Sequence, residues 1–194
     1  MAMKRLLIFF FALFVSFGAS LSVAQAEPLG FRRVRATFAL GLDCFDVIEG
    51  DFGNAADIGM AVYAETTLQL MGYLGLNLRI GSARAFTNKD FLPFDNGVQF
   101  IYLTFAPRAY VAPFRKMNLY FYIQPEISLN VFMSNTLVKI TGNNGMSGGV
   151  GGAIGAQYII GIVSISAQVF SDYHWKLESV MIGGGITVGI SSPL

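Results

Sequence analysis

The sequence predicts an all-β protein, an eight-stranded antiparallel up-and-down transmembrane β-barrel. Only 13% of its 194 residues are charged and 54% are hydrophobic, with a mean hydropathy of +0.55. Soluble domains carry about a quarter charged residues, so this composition is typical of a membrane protein. Beyond the N-terminal segment, apolar residues alternate with polar or small ones instead of forming runs long enough for membrane helices. Such alternation predicts strands with one face in lipid and the other lining an interior.

The N-terminus has the three parts of a secretory signal. The basic pair Lys4-Arg5 precedes the apolar run Leu6 to Val23, and Ala24 to Ala26 supplies the small-x-small pattern of a cleavage site. We therefore expect residues 1–26 to be a cleaved signal peptide and residues 27–194 to form the barrel domain. The alternative is a membrane anchor, because the run is about long enough to cross a bilayer. Small and hydroxyl residues at its end favour cleavage.

Eight segments of ten or so residues show the alternation. The fifth is the clearest, and its Pro125 predicts a local bulge. The fourth, Val98 to Tyr110, is apolar on both faces in its upper half; we assign outward Ile101, Leu103 and Phe105, and inward Tyr102, Thr104 and Arg108.

The connections alternate in length, as expected of an up-and-down membrane barrel. Long links are predicted at residues 45–57, 84–96, 134–148 and 171–178, and short ones around Gly72, residues 111–117 and Gly161. This pattern predicts four loops on the extracellular side and both chain ends in the periplasm.

A soluble barrel of the lipocalin kind is the structural alternative, with its apolar face inside. The polar face here consists mostly of Gly, Ser, Thr, Asn, Gln and Tyr, whereas a soluble exterior would carry many Lys and Glu residues. A narrow polar lumen accounts better for this composition.

A lumenal charge cluster follows from the predicted register. A turn centred on Gly72 places Glu65 opposite Arg79 on the inward face of the second hairpin. Glu126 lies at a similar depth on the fifth strand. We therefore predict a polar cluster of Glu65, Arg79 and Glu126 that closes the middle of the lumen.

Aromatic residues occur where a membrane barrel carries its interfacial girdles. We assign to the two boundaries Tyr73, Tyr110, Phe114, Phe45, Phe86, Phe132, Phe170, Tyr173 and Trp175.

Across residues 31–191 the pattern resembles the small outer-membrane β-barrel superfamily, which includes OmpA-type, OmpX-type and opacity-type barrels. The most similar stretches are Leu119 to Val131 and Gly148 to Ile160. The resemblance implies a Gram-negative-type outer membrane, contact with its lipid and lipopolysaccharide, and insertion by the outer-membrane assembly machinery. It further implies loops that contact host or envelope components.

Three functions are compatible with the sequence. The first is a structural or surface-interaction barrel, and the second is a narrow porin-like conduit for small or apolar solutes, similar to OmpW-like barrels. The third, a lipid A-modifying enzyme, would depend on His174 and its neighbours Ser171, Asp172, Glu178 and Ser179. We predict no enzyme, no catalytic residue, no metal and no cofactor. Nucleic acid is not an expected partner, because the 13 basic residues nearly balance the 12 acidic ones.

Overall fold

Each alternating segment forms one strand of a closed antiparallel barrel. The structure is a computed structural model that describes residues 34–48, 58–71, 73–86, 97–114, 118–133 and 145–193. Its strands are β1 (Arg35–Val47), β2 (Ile58–Met71), β3 (Leu74–Phe86), β4 (Gly97–Phe114), β5 (Leu119–Phe132), β6 (Met146–Ile160), β7 (Val163–His174) and β8 (Ser179–Pro193). Neighbours in sequence pair with each other, and β8 pairs with β1 to close the barrel. The predicted signal peptide, residues 1–26, lies outside the described residues. Within these ranges no helix is long and apolar enough to cross a membrane.

The two faces of the strands differ as the alternation predicts. On β1, Leu40 is 72% exposed on the outside, whereas Asp43 is 3% exposed inside the barrel. The fourth strand, whose sequence is apolar on both faces in its upper half, follows the same rule, since Ile101 and Phe105 point outward and Arg108 points inward. A continuous apolar exterior of this extent requires lipid around it. The barrel is therefore transmembrane, and the lipocalin-like alternative with an apolar interior is wrong.

The tight turns set the register of the hairpins. β2 and β3 pair with Glu65 opposite Arg79, as a turn at Gly72 predicts, and a bulge near the turn lies between Gln69 and Met71. The β6–β7 turn contains Gly161 at a φ of +60°, a left-handed conformation that glycine adopts without strain.

One connection is shorter than predicted. β7 continues to His174 and β8 begins at Ser179, so the expected long link over residues 171–178 is a turn of four residues, Trp175 to Glu178. The other three predicted loops fall largely on residues 49–57, 87–96 and 134–144, outside the described ranges. We call the end of the barrel that carries these connections the long-connection end, and the opposite one the tight-turn end.

The bulge predicted at Pro125 is wrong. The β5–β6 pairing runs through Pro125, opposite Gly152, without a shift. On its other side, the β4–β5 register is the same before and after the proline, and the shift in that pair lies instead between Val111 and Phe114. A proline in a strand removes a donor, but the neighbouring residues keep their pairing phase.

Candidate functional site

The lumen is closed at the long-connection end by an apolar plug. Buried aromatic and aliphatic side chains from five strands and from the β7–β8 turn form it: Phe45, Val47, Val98, Phe100, Phe132, Phe170, Leu177 and Met181. Phe100 occupies its centre, with ring centroids 5.1 Å from Phe132 and 6.2 Å from Phe45. This arrangement leaves no wide aqueous mouth among the described residues.

Several plug residues correct the girdle assignment. Four aromatic residues expected at the membrane boundaries point into the lumen instead: Phe45, Phe132, Phe170 and Tyr110. Each lies two positions from a buried polar residue of its own strand, so the period of two already places it inside. Tyr73 and Trp175 do lie on the exterior, half exposed, as interfacial anchors would.

The middle of the lumen holds a cluster of four charged side chains, which we call the central cluster: Asp43, Glu65, Arg79 and Arg108. The Glu65 carboxylate is shared, because its Oε2 lies 3.6 Å from Arg79 Nη2 and 3.6 Å from Arg108 Nη2. Asp43 Oδ2 lies 3.8 Å from Arg79 Nη1. All four side chains are nearly inaccessible to solvent, so they compensate one another's charge in place of water.

Arg79 is held from several sides. Its guanidinium lies 4.5 Å from the centre of the Tyr63 ring and donates a 3.0 Å hydrogen bond to Gln168 Oε1. The Tyr63 hydroxyl in turn donates to Asp43 Oδ1 at 3.0 Å. Ion pairs, a cation–π contact and a hydrogen bond together fix one orientation of this side chain.

Arg108 links the cluster to β5. Its guanidinium lies 4.1 Å from the centre of the Tyr122 ring, and its Nε donates to Gln124 Oε1. Gln124 Nε2 donates to Glu126 Oε1. Glu126 therefore joins Arg108 through one glutamine, and it also interacts electrostatically with Arg79.

Of the three residues predicted from the sequence, Glu65 and Arg79 are in direct contact, and Glu126 is linked to them through Gln124 and Arg108. All three are buried in the lumen, and Asp43 and Arg108 join the network. From the sequence, Arg108 is assigned to the inward face, but neither Arg108 nor Asp43 is predicted as a member of the cluster. Their contribution depends on the stagger of strands that are not neighbours in the pairing, which alternation within one strand does not reveal.

The tight-turn end of the lumen is filled by uncharged polar side chains. Thr37 donates a 3.0 Å hydrogen bond to Ser191, Asn77 donates at 2.8 Å to Thr67, and Gln157 donates at 2.8 Å to Ser164. The hydroxyls of Ser166 and Thr187 also bond to each other. Each of these bonds joins two adjacent strands, so the side chains form a bonded lining at this end of the lumen.

The residues considered for enzymatic chemistry have other bonding partners or lie on the exterior in the structure. His174 is 1% exposed, and its Nδ1 lies 3.0 Å from Asn130 Nδ2 inside the lumen. Ser171 and Glu178 are exposed on the exterior, and the Ser179 hydroxyl donates to the backbone oxygen of Leu177. A nucleophile and its base must lie within hydrogen-bond reach of each other.

Space in the lumen is small. A cavity of about 30 Å³ lies between the central cluster and the apolar plug, lined by Arg79, Tyr102, Phe100 and Phe170 among others. It has room for about two water molecules. Among the described residues, no group of three or more His, Cys, Asp or Glu side chains is placed to hold a metal ion.

No protein-family model matches the sequence. No curated protein matches it either. Solved structures do match over most of the chain. Ail, the attachment invasion locus protein of Yersinia pestis, superposes with a TM-score of 0.54 at 10% identity, over 83% of this chain and 100% of that one. The chain has the fold of the small eight-stranded outer-membrane barrels.

Two further structures support the same fold. Neisserial surface protein A gives a TM-score of 0.55 at 11% identity, covering 83% of this chain and 97% of that one. The outer membrane protein OprG from Pseudomonas aeruginosa gives 0.54 at 10% identity, covering 87% and 99%. At such identities the likeness concerns the architecture, since one barrel fold carries many different functions.

Proposed function

We propose that this protein is an exported outer-membrane barrel with a structural or surface-interaction role, not a solute channel. The observation that carries the proposal is the packing of the lumen over its whole length. An apolar plug, the central cluster and a layer of bonded hydroxyl and amide groups follow one another along the axis. An eight-stranded barrel is just wide enough for side chains to fill it.

A narrow conduit would need a continuous path, and the described lumen argues against one. A hydrated ion crossing the central cluster would have to displace Arg79 and Arg108, which are held by ion pairs and by tyrosine rings. Breaking a buried ion pair costs about 3–5 kcal/mol, so such an opening is rare.

The proposed interaction surface is the long-connection end. In the proposed role, the rigid barrel displays the connections between β1 and β2, β3 and β4, and β5 and β6 to host or envelope components. Ail, which has the same fold, is named for attachment and invasion, and this name supports the proposal of an interaction role. The apolar exterior would contact membrane lipid and lipopolysaccharide, after insertion by the outer-membrane assembly machinery.

Planar-bilayer recording of the refolded protein tests the closed lumen. We expect no conductance steps from the wild type, whereas the triple variant Phe100→Ala/Arg79→Ala/Arg108→Ala, which removes the centre of the apolar plug and both cations of the central cluster, should conduct and so demonstrates insertion. Both samples should first migrate differently before and after boiling, which shows that the barrels are folded. Regular steps from the wild type would contradict the proposal.

Cell fractionation tests the location. The protein should be recovered with outer-membrane markers on a density gradient, and its mature N-terminus should begin at Glu27. Recovery in the inner membrane with residues 1–26 intact would contradict export by cleavage.

A further inference from the structure

The pairing between β4 and β5, the β4–β5 seam, contains a gap at mid-barrel. Phe105 pairs with Ile127, and Ala109 pairs with Ile123, but the three residue pairs expected between these two are missing from the β4–β5 ladder. The register is the same on both sides of the gap, which places Pro107 level with Pro125. The other strand pairs run through the middle of the barrel without such an interruption in the described residues.

The two prolines occupy positions that should exchange hydrogen bonds with each other. At the end of the same seam, the Met133 N–H donates to Gln99 O at 2.8 Å. In an antiparallel ladder the residues that bond across a given seam recur at every second position. This alternation assigns Pro107 and Pro125 to one mutually bonding pair. Since neither has an N–H, both bonds of that pair are lost.

The missing bonds matter because of where they lie. Both prolines are on the lipid-facing side of the wall, in the middle of their strands. Hydrocarbon offers no donor to the two proline carbonyl groups, and a membrane barrel normally pairs every backbone group between strands. The wall is therefore locally weaker here than elsewhere.

Side chains cross the seam at the same level on the lumenal side. Arg108 and Gln124 flank the two prolines and face each other across the gap, joined by the bond from Arg108 Nε to Gln124 Oε1. Gln124 continues to Glu126. Arg108 is anchored on its other side by the ion pair with Glu65, 3.6 Å away.

We infer that the β4–β5 seam is the place where the barrel wall opens locally, and that the Arg108–Gln124 contact is the latch that holds it closed. The inference is independent of the proposed surface role. It assigns to Arg108 a task that its membership of the central cluster does not require, namely to replace the backbone bonds missing between the prolines.

Residue-resolved amide hydrogen exchange on the refolded protein in lipid nanodiscs tests the seam. The amides of Phe105, Ala109, Ile123 and Ile127 border the gap, and we expect them to exchange on the order of tenfold faster than the amides of the β6–β7 pair, the ratio expected for about one net hydrogen bond. Equal protection of the two sets would overturn the inference.

A matched pair of glutamine variants tests the latch. Gln124→Leu removes both of its side-chain bonds at nearly constant volume and should accelerate exchange at the four seam amides by roughly another tenfold. Gln157→Leu makes the same chemical change at a buried lumenal glutamine on β6, which bonds to Ser164 and whose pairing is continuous on both sides. It should leave the seam amides unchanged. Equal acceleration by both variants would show that Gln124 has no special role.

The double variant Pro107→Val/Pro125→Val restores both donors. Its seam amides should become as protected as those of the β6–β7 pair, and Gln124→Leu in this background should no longer affect them. Unchanged fast exchange in the double variant would contradict the assignment of the opening to the prolines. This arm also decides the question if Gln124→Leu alone fails to fold.

Discussion

Glu65 on β2 and Arg108 on β4 form an ion pair across the intervening strand β3, with Oε2 3.6 Å from Nη2. The same carboxylate oxygen lies 3.6 Å from Arg79, its cross-strand partner. One buried anion therefore compensates two buried cations. This sharing makes Glu65 the acid of the central cluster that pairs with both arginines.

Replacing Glu65 should consequently destabilise the barrel more than replacing Glu126. We expect Glu65→Gln to lower the free energy of unfolding by about 3–5 kcal/mol, because it leaves two buried guanidinium groups short of an anion. Glu126→Gln should cost less than half of that, since the hydrogen bond of Glu126 goes to neutral Gln124 and its attraction to Arg79 acts without a direct ion pair among the described residues. Urea titration of the protein refolded in lipid vesicles measures both. A larger loss for Glu126→Gln would contradict the view that Glu65 is the shared anion.

Some contacts of the central cluster are determined within one hairpin and could be predicted from the sequence, whereas others depend on the arrangement of the whole barrel. Glu65 opposite Arg79 follows from one turn and the period of two, both of which are local. The contact between Glu65 and Arg108 depends on the stagger of three strands around a closed barrel, and no single hairpin determines it. The same limit applies to the ion pair between Asp43 on β1 and Arg79 on β3, which lie on strands that do not pair with each other.

The apolar plug shows a different limit. The inward position of Phe45 and Phe132 follows from the period of two, because each lies two positions from a buried polar residue of its own strand. Their position near the strand ends suggested membrane girdles instead. The period of two was the more reliable indicator, because the pleat of a strand fixes which face a side chain occupies but not how deep in the membrane it lies. The three residue pairs missing around Pro107 and Pro125 could not be predicted either. They depend on the β4–β5 register, which an irregularity between Val111 and Phe114 shifts.

The plug should contribute more stability than an equally large lipid-facing aromatic. Phe100→Ala empties the centre of the plug and should cost about 3–5 kcal/mol of unfolding free energy. Phe105→Ala removes the same atoms from a lipid-facing side chain of the same strand, 48% exposed outside the protein; lipid fills the space that is left, so only the transfer energy of about 2 kcal/mol is lost. Urea unfolding in vesicles compares them, and equal losses would argue against a tightly packed plug.

Gly41 should resist substitution because of Tyr63. A β-carbon at Gly41 would overlap the Tyr63 ring, which stacks beneath Arg79 and bonds to Asp43. We expect Gly41→Ala to cost about 1–3 kcal/mol by displacing that ring. Gly184→Ala, whose nearest neighbour would be the Gln168 backbone oxygen at 3.2 Å, provides the control for adding one methyl group to a strand glycine. Unchanged stability of Gly41→Ala would show that Tyr63 has room to move.

An arginine placed at two positions along the exterior of β1 tests whether this face lies in lipid. Leu40, in the middle of β1 and 72% exposed, should face the centre of the bilayer. Leu40→Arg should therefore lower the free energy of unfolding by about 2–4 kcal/mol in vesicles, whereas Ile48→Arg, just beyond the long-connection end of β1, should cost about 0–1 kcal/mol. The same urea titration measures both variants. A barrel surrounded by water would tolerate both arginines equally. On such a surface the original Leu40 would not be stabilised by lipid, and the new guanidinium would keep its hydration. A cost at Leu40 no greater than the cost at Ile48 would thus contradict the transmembrane assignment, while a steep difference between the two positions would locate the hydrocarbon along the strand.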